Sequence, residues 1–295
     1  MSILNINKDE SINKEGIRKT VNYLISAKVD GLYITGSTGE TFLMSQEEKK
    51  QAIEIIVEEV NGRVPVIAHI GSIGTKITTE LGQYAEKIGV DALSALPPFY
   101  YGFSNDEIFN YYQDISNSTN LPITVYNISH ANLMDLDMLK RLASIENVKG
   151  VKYTAPTHFN FSKIKKEIGE DFKIYSGMDE MALSGLISGA DGIIGSFYNL
   201  MPELFVALYT NIKQENISEA KKIQEKINII ILYALSKSGY PFIKMGLKWL
   251  NVDSGYVRRP FNSIIDSENE KTIINELKIL TKENDLTGIK FLETL

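Results

Sequence analysis

The chain has 295 residues, 43% hydrophobic and 23% charged, the balance of a globular protein long enough to bury a large core. It has no cysteine, which excludes disulfides, thiolate nucleophiles, cysteine-ligated zinc and iron–sulfur clusters; a net charge of −6 without a basic stripe argues against DNA or RNA as a partner. The longest apolar runs, such as Ile229–Leu232 and Leu204–Leu208, fall far short of the roughly 20 residues of a membrane helix, and the opening MSILNINKDE does not read as a secretion signal, so a cytoplasmic protein is expected.

Short apolar or β-branched runs alternate with longer amphipathic stretches, the pattern of repeated βα units. Strands are expected at Ile3–Ile6, then at Asp30–Thr35, which runs straight into Gly36-Ser37-Thr38-Gly39-Glu40. Ser45 with Glu48 reads as a capping box opening the next helix, and Gly62 follows its end. Strands follow at Val64–His69 and, after Gly89, at Asp91–Leu96, which leads into the stiff aromatic loop Pro97-Pro98-Phe99-Tyr100-Tyr101. A second capping box, Ser104 with Glu107, opens the helix before the strand Ile123–Tyr126; Val148–Tyr153, Phe172–Tyr175 (after Gly169) and Asp191–Ile194 complete eight. After Met201 the pattern turns helical, with Ser218 as a cap for Glu219–Ser236 and further helices near 241–250 and 267–282. An open doubly wound sheet and a closed barrel both use βα units; the count of eight favours an α/β (β/α)8 TIM barrel followed by extra C-terminal helices. One domain over 1–295 is expected, with 201–295 supplying the last barrel helix and the extension.

In such a barrel the active site lies at the carboxyl ends of the strands. The turn from Gly36 to Glu40 offers two hydroxyls and backbone N–H groups to a carboxylate or phosphate, though it could be an ordinary glycine-rich βα turn; it is neither a P-loop nor a dinucleotide fingerprint. Strand alternation puts Lys152 on one face with Gly150 and Thr154, and leaves Lys149 outward. A lysine aimed into a barrel mouth loses hydration, which favours the neutral amine that attacks carbonyls; the plain alternative is a strand-edge lysine reaching water. Tyr126 ends the neighbouring strand, where a phenol can move a proton or simply hydrogen-bond at the rim. Tyr100 and its loop could wall a pocket or meet another subunit. Asp179 and Glu180 follow the seventh strand and Gly195-Ser196 the eighth; carboxylates there suit the hydroxyls of a polyol, although Asp179 could instead cap a helix. The three histidines, His69, His130 and His158, form no metal-spacing motif; His69 reads as a packed residue.

Taken together these segments resemble the N-acetylneuraminate lyase branch of the class I pyruvate aldolase and dihydrodipicolinate synthase superfamily, over nearly the whole chain and in order. The resemblance implies that Lys152 forms a Schiff base, that Ser37 and Thr38 hold the pyruvate carboxylate, and that Tyr126, Ser37 and Tyr100 form a hydroxyl network. Tyr100 would reach in from a neighbouring subunit of a homotetramer built as a dimer of dimers. Thr154, Gly177, Asp179, Glu180, Gly195 and Ser196 would hold the sugar chain. The implied substrates are a 2-keto sugar acid and pyruvate, with no metal or organic cofactor. Four departures stand out: Ser129 where the tyrosine motif usually has proline, which should loosen that loop; Ala131 where dihydrodipicolinate synthases place an arginine; Tyr153 and Ala155 around Thr154, with Met178 before the acid pair; and a short start, from which either a true start upstream or a weakened barrel seam is expected. Dihydrodipicolinate synthase is disfavoured by Ala131, 2-keto-3-deoxygluconate aldolase only moderately by the acid pair, and a silent sugar-acid binding scaffold remains the alternative of another class.

Overall fold

The computed structural model describes residues 5–131, 133–264 and 269–295. Seven parallel strands, β1 (Leu32–Ile34), β2 (Val66–His69), β3 (Ala92–Ala95), β4 (Ile123–Ile128), β5 (Val148–Thr154), β6 (Lys173–Ser176) and β7 (Gly192–Ile193), pair in chain order into one sheet. Helices α1 (Lys14–Ser26), α2 (Gln46–Val60), α3 (Thr75–Ile88), α4 (Asn105–Asn117), α5 (Leu136–Ala143), α6 (Asn160–Ile168) and α7 (Ala182–Ile187) alternate with them, and α8 (Pro202–Lys213), α9 (Ile217–Ser236), α10 (Tyr240–Trp249), α11 (Glu270–Glu283) and α12 (Lys290–Glu293) follow.

Local chemistry sets these boundaries. Both expected capping boxes form, Ser45 with Glu48 and Ser104 with Glu107, and Gly89 closes α3 at φ 97. The long helix begins at Ile217, so Asn216 and not Ser218 stands at its cap. Along the strands, Leu32, Ile34, Val66, Ala68, Leu93, Ala95, Val125, Val151, Tyr153 and Ile174 alternate into one apolar core beneath the helices. The intervening positions, among them Tyr33, His69, Tyr126 and Lys152, face the other side. A second apolar cluster unites α7 to α12 through residues such as Phe205, Ile227, Phe242 and Phe291.

The expected closed barrel of eight strands is corrected to a curled, TIM-barrel-like sheet of seven among the described residues. Ile3 and Leu4 of the expected strand Ile3–Ile6 lie outside the described residues. Ile6 itself makes isolated bridges to Ile12 and Gly255, and its carbonyl accepts the Tyr256 N–H at 3.0 Å. The Asn5 carbonyl accepts the Asn13 N–H at 3.0 Å, so the carbonyls of Asn5 and Ile6 are taken by the following loop and by the C-terminal segment. Among the described residues no helix is long and apolar enough to cross a membrane.

Candidate active site

Lys152 is 1% exposed, at the register position opposite Tyr126 on one side and Tyr175 on the other. Its Nζ lies 3.8 Å from the Tyr126 ring centroid and 4.7 Å from that of Tyr33, so two aromatic faces take the place of lost water around the cation. Lys149 is exposed, as alternation requires. Burial by itself would raise the Tyr126 phenol, but the Lys152 charge, with hydrogen bonding to Ser37 and Lys152 and the nearby Thr154 hydroxyl, outweighs it and holds the phenol below its ordinary value. Thr154 Oγ1 lies near that phenol as a buried hydroxyl oxygen.

Ser37 and Thr38 stand in a single 3-10 turn, Ser37–Gly39, directly after β1. Two left-handed residues bracket the turn, Thr35 at φ 52 and Glu40 at φ 54. Thr38 Oγ1 lies 2.7 Å from Ser196 Oγ, which joins the turn after β1 to the turn after β7 across the mouth. Tyr240, at the start of α10, hydrogen-bonds Ser196; burial, with Tyr126 nearby, pushes its phenol up to about 12.

Asp179 does not present a free carboxylate. Its Oδ2 accepts the backbone N–H groups of Ser196 and Phe197, both at 2.8 Å, and a Cβ on Gly195 would sit 1.5 Å from its Oδ1. It therefore caps the turn after β7 and not its own helix. Glu180 is exposed. Gly177 packs against Thr154, whose Oγ1 would be 2.0 Å from any Cβ there.

Tyr100 is 85% exposed, touches Tyr101 edge-on at 5.0 Å, and is not brought into the site of its own chain. The loop with Ser129 has a tie in proline's place: buried Asn127 accepts the Met134 N–H at 2.8 Å and donates to the Met134 carbonyl at 3.1 Å. Ala131 is buried.

His69 is fully buried, with its ring edge-on to Tyr126 at 5.9 Å. Burial first, then the charges of Lys49 and Lys152, press it down to about 3, so it is neutral. His158 pairs with Ser184 at 3.0 Å, and His130 is exposed. Among the described residues no three His, Asp or Glu side chains converge as a metal site requires. Two residues of the site were missed by strand-end reasoning. Tyr33 sits mid-strand, where alternation could have found it; Tyr240 comes from a helix beyond the sheet, where no strand-end signal exists.

A profile of the dihydrodipicolinate synthetase family matches residues 2–279. N-acetylneuraminate lyase of Fusobacterium nucleatum is 40% identical over 267 residues, 90% of this chain and 92% of that protein. The structure of CdNal from Clostridium difficile in complex with mannosamine matches with a TM-score of 0.90 at 34% identity, covering 96% of this chain and 97% of that one. The sialic acid aldolase of Ruminococcus gnavus, solved as its catalytic lysine mutant, matches with a TM-score of 0.89 at 29% identity over 99% and 94% of the two chains.

Proposed function

The chain belongs to the dihydrodipicolinate synthetase family, and on that premise we propose that it is a class I lyase that reversibly cleaves N-acetylneuraminate to N-acetylmannosamine and pyruvate through a Schiff base on Lys152. The observation that carries this reading is the Lys152 amine, sealed from water between Tyr33 and Tyr126 at the end of a central strand.

The Lys152 amine adds to C2 of the open-chain keto acid, and loss of water leaves a protonated imine. That cation takes up the electron pair as the C3–C4 bond breaks, while the proton of the C4 hydroxyl leaves through Tyr126 and the substrate carboxylate. N-acetylmannosamine departs, the enamine is protonated at C3, and hydrolysis returns pyruvate and the amine. A phenol held below its ordinary value suits a relay that must take and give one proton per turnover. Ser37, Thr38 and their backbone N–H groups hold the carboxylate and orient C2.

At the other end Thr154, Gly177, Glu180 and Ser196 line the sugar chain, and Asp179 acts on it by fixing the Gly195-Ser196 turn. The buried Ala131 offers no cation to a second carboxylate, which supports a sugar acid over a substrate that carries one. We read the working form as a cytoplasmic homotetramer of single-domain chains, in which the exposed Tyr100 completes a neighbour's site.

Borohydride added with pyruvate should leave a reduced adduct on Lys152 alone, mapped by peptide mass. An adduct on Lys149, or none in folded protein, overturns the reading. Faster cleavage of 2-keto-3-deoxygluconate than of N-acetylneuraminate would move the chain to a sister aldolase.

A further inference from the structure

The turn that carries Ser37 and Thr38 is strained. Thr35 is β-branched and Glu40 is not glycine, yet both adopt the left-handed region, at φ 52 and φ 54. Such residues persist only where their surroundings over-determine them. For Thr35 the restraint is its hydroxyl, which donates to the carbonyls of Ile34 and His69, each at 2.8 Å.

For Glu40 the restraint comes from far along the chain. Its carboxylate is buried, with Oε1 2.7 Å from Lys244 Nζ on α10; the two side chains are 1% and 0% exposed. Oε2 accepts the backbone N–H of Arg258 at 2.7 Å. Lys244 Nζ also donates to the Tyr256 carbonyl, and Ser254 Oγ donates to the Lys244 carbonyl at 2.7 Å. Arg258 then holds the far end of the same loop, donating to the Leu43 carbonyl at 2.8 Å and to both oxygens of Glu48 at 2.7 and 2.9 Å. Residues 244–258 thus grip residues 40–48 at three points, on a part of the chain that carries no group of the mechanism. Burial pulls the Lys244 ammonium down to about 8, and the Glu40 carboxylate limits the fall.

We propose that Glu40 and Lys244 are a positioning pair, by which α10 and the segment after it set the Ser37–Gly39 turn in the geometry that binds the substrate carboxylate. Neither side chain touches substrate. The pair acts on carboxylate binding and leaves the chemistry at Lys152 alone. The proposal rests on the reading of Ser37 and Thr38 as the carboxylate cradle.

The test is borohydride trapping at Lys152 across a pyruvate titration, with KM and kcat for N-acetylneuraminate measured beside it. Glu40→Gln and Lys244→Met should each raise the half-saturating pyruvate concentration by about tenfold or more, since small misplacements of a positioning group are costly. The saturating extent of trapping on Lys152 should hold. The double variant should be no worse than the poorer single one, because both singles break the same tie. Loss of stability in urea with unchanged half-saturation would overturn the proposal and leave the pair purely structural. Removing one member of a buried pair can prevent folding; if Lys244→Met does not fold, Glu40→Gln, which keeps the side chain's shape, decides alone. Ser37→Ala separates the underlying reading from the proposal. If it leaves half-saturation unchanged, the cradle reading fails; if it raises half-saturation and the pair variants do not, the positioning role alone fails.

Discussion

Replacing Asp179 by asparagine should remove a component of stability that falls as pH rises. Burial raises the Asp179 carboxyl from 3.8 to about 6, although the N–H groups of Phe197 and Ser196 pull the other way. A group whose folded pKa lies above its unfolded one binds protons more tightly in the folded state. Its contribution is full below about pH 4 and is lost as pH rises through about 6. The shift corresponds to about 3 kcal/mol in all, of which about 2 kcal/mol falls between pH 4.5 and pH 8. Asparagine cannot titrate, and its amide oxygen can still accept from the turn after β7. Urea unfolding of both proteins at the two pH values, at one protein concentration, isolates the term, because other carboxylates cancel in the difference. The variant should gain about 2 kcal/mol on wild type between pH 4.5 and pH 8. A change below about 0.5 kcal/mol, or one of opposite sign, would mean that the two N–H donors stabilise the anion enough to cancel its burial, and the argument would fail.

Tyr126→Phe keeps the ring beside Lys152 but removes the proton carrier, so kcat should fall roughly 10²-fold or more with the fold intact; a rate near wild type removes the phenol from the mechanism. Asn127→Ala strips two hydrogen bonds from the Met134 backbone and should cost about 1–3 kcal/mol in urea unfolding; an unchanged midpoint would show that the loop is held by something else. Mixed Lys152→Ala and Tyr100→Phe subunits should recover activity that neither homogeneous sample has, whereas a fully active monomer in sedimentation would contradict a shared site.

Much of this arrangement was legible because strands alternate and caps have chemistry. Alternation alone set Lys152 inward and Lys149 outward, and Ser45 with Glu48 and Ser104 with Glu107 announced two helix starts. That the expected eighth strand would not join the sheet was not legible, because a strand's partner is a tertiary choice: Ile6 bonds to the segment around Gly255, far away in sequence. The role of Asp179 was hidden for a similar reason. A carboxylate after a strand reads equally as a substrate acceptor or a cap, and only the backbone N–H groups after β7, brought alongside by folding, decide where it points. The missing proline implied a looser loop, yet Asn127 ties the loop down through a contact that no local pattern encodes.

Around Lys152 the neighbouring groups add no further cation from a histidine. His69, edge-on to Tyr126, is kept neutral by burial and by the charges of Lys49 and Lys152, so it adds no competing cation. Lys244 is met by Glu40 behind the Ser37–Gly39 turn. The faces of Tyr33 and Tyr126 surround the Lys152 nitrogen, and a ring face attracts an ammonium and a protonated imine alike. In the proposed mechanism the same two faces would meet the nitrogen of the protonated imine once the covalent bond has formed. The Tyr126 phenol, held low chiefly by the same nitrogen's charge against its own burial, can release a proton most readily while that charge is present. In the proposed mechanism it would regain the proton as the charge is lost to the enamine. In the proposed mechanism the coupling of one cation to one phenol would time proton transfer to the stage of the reaction.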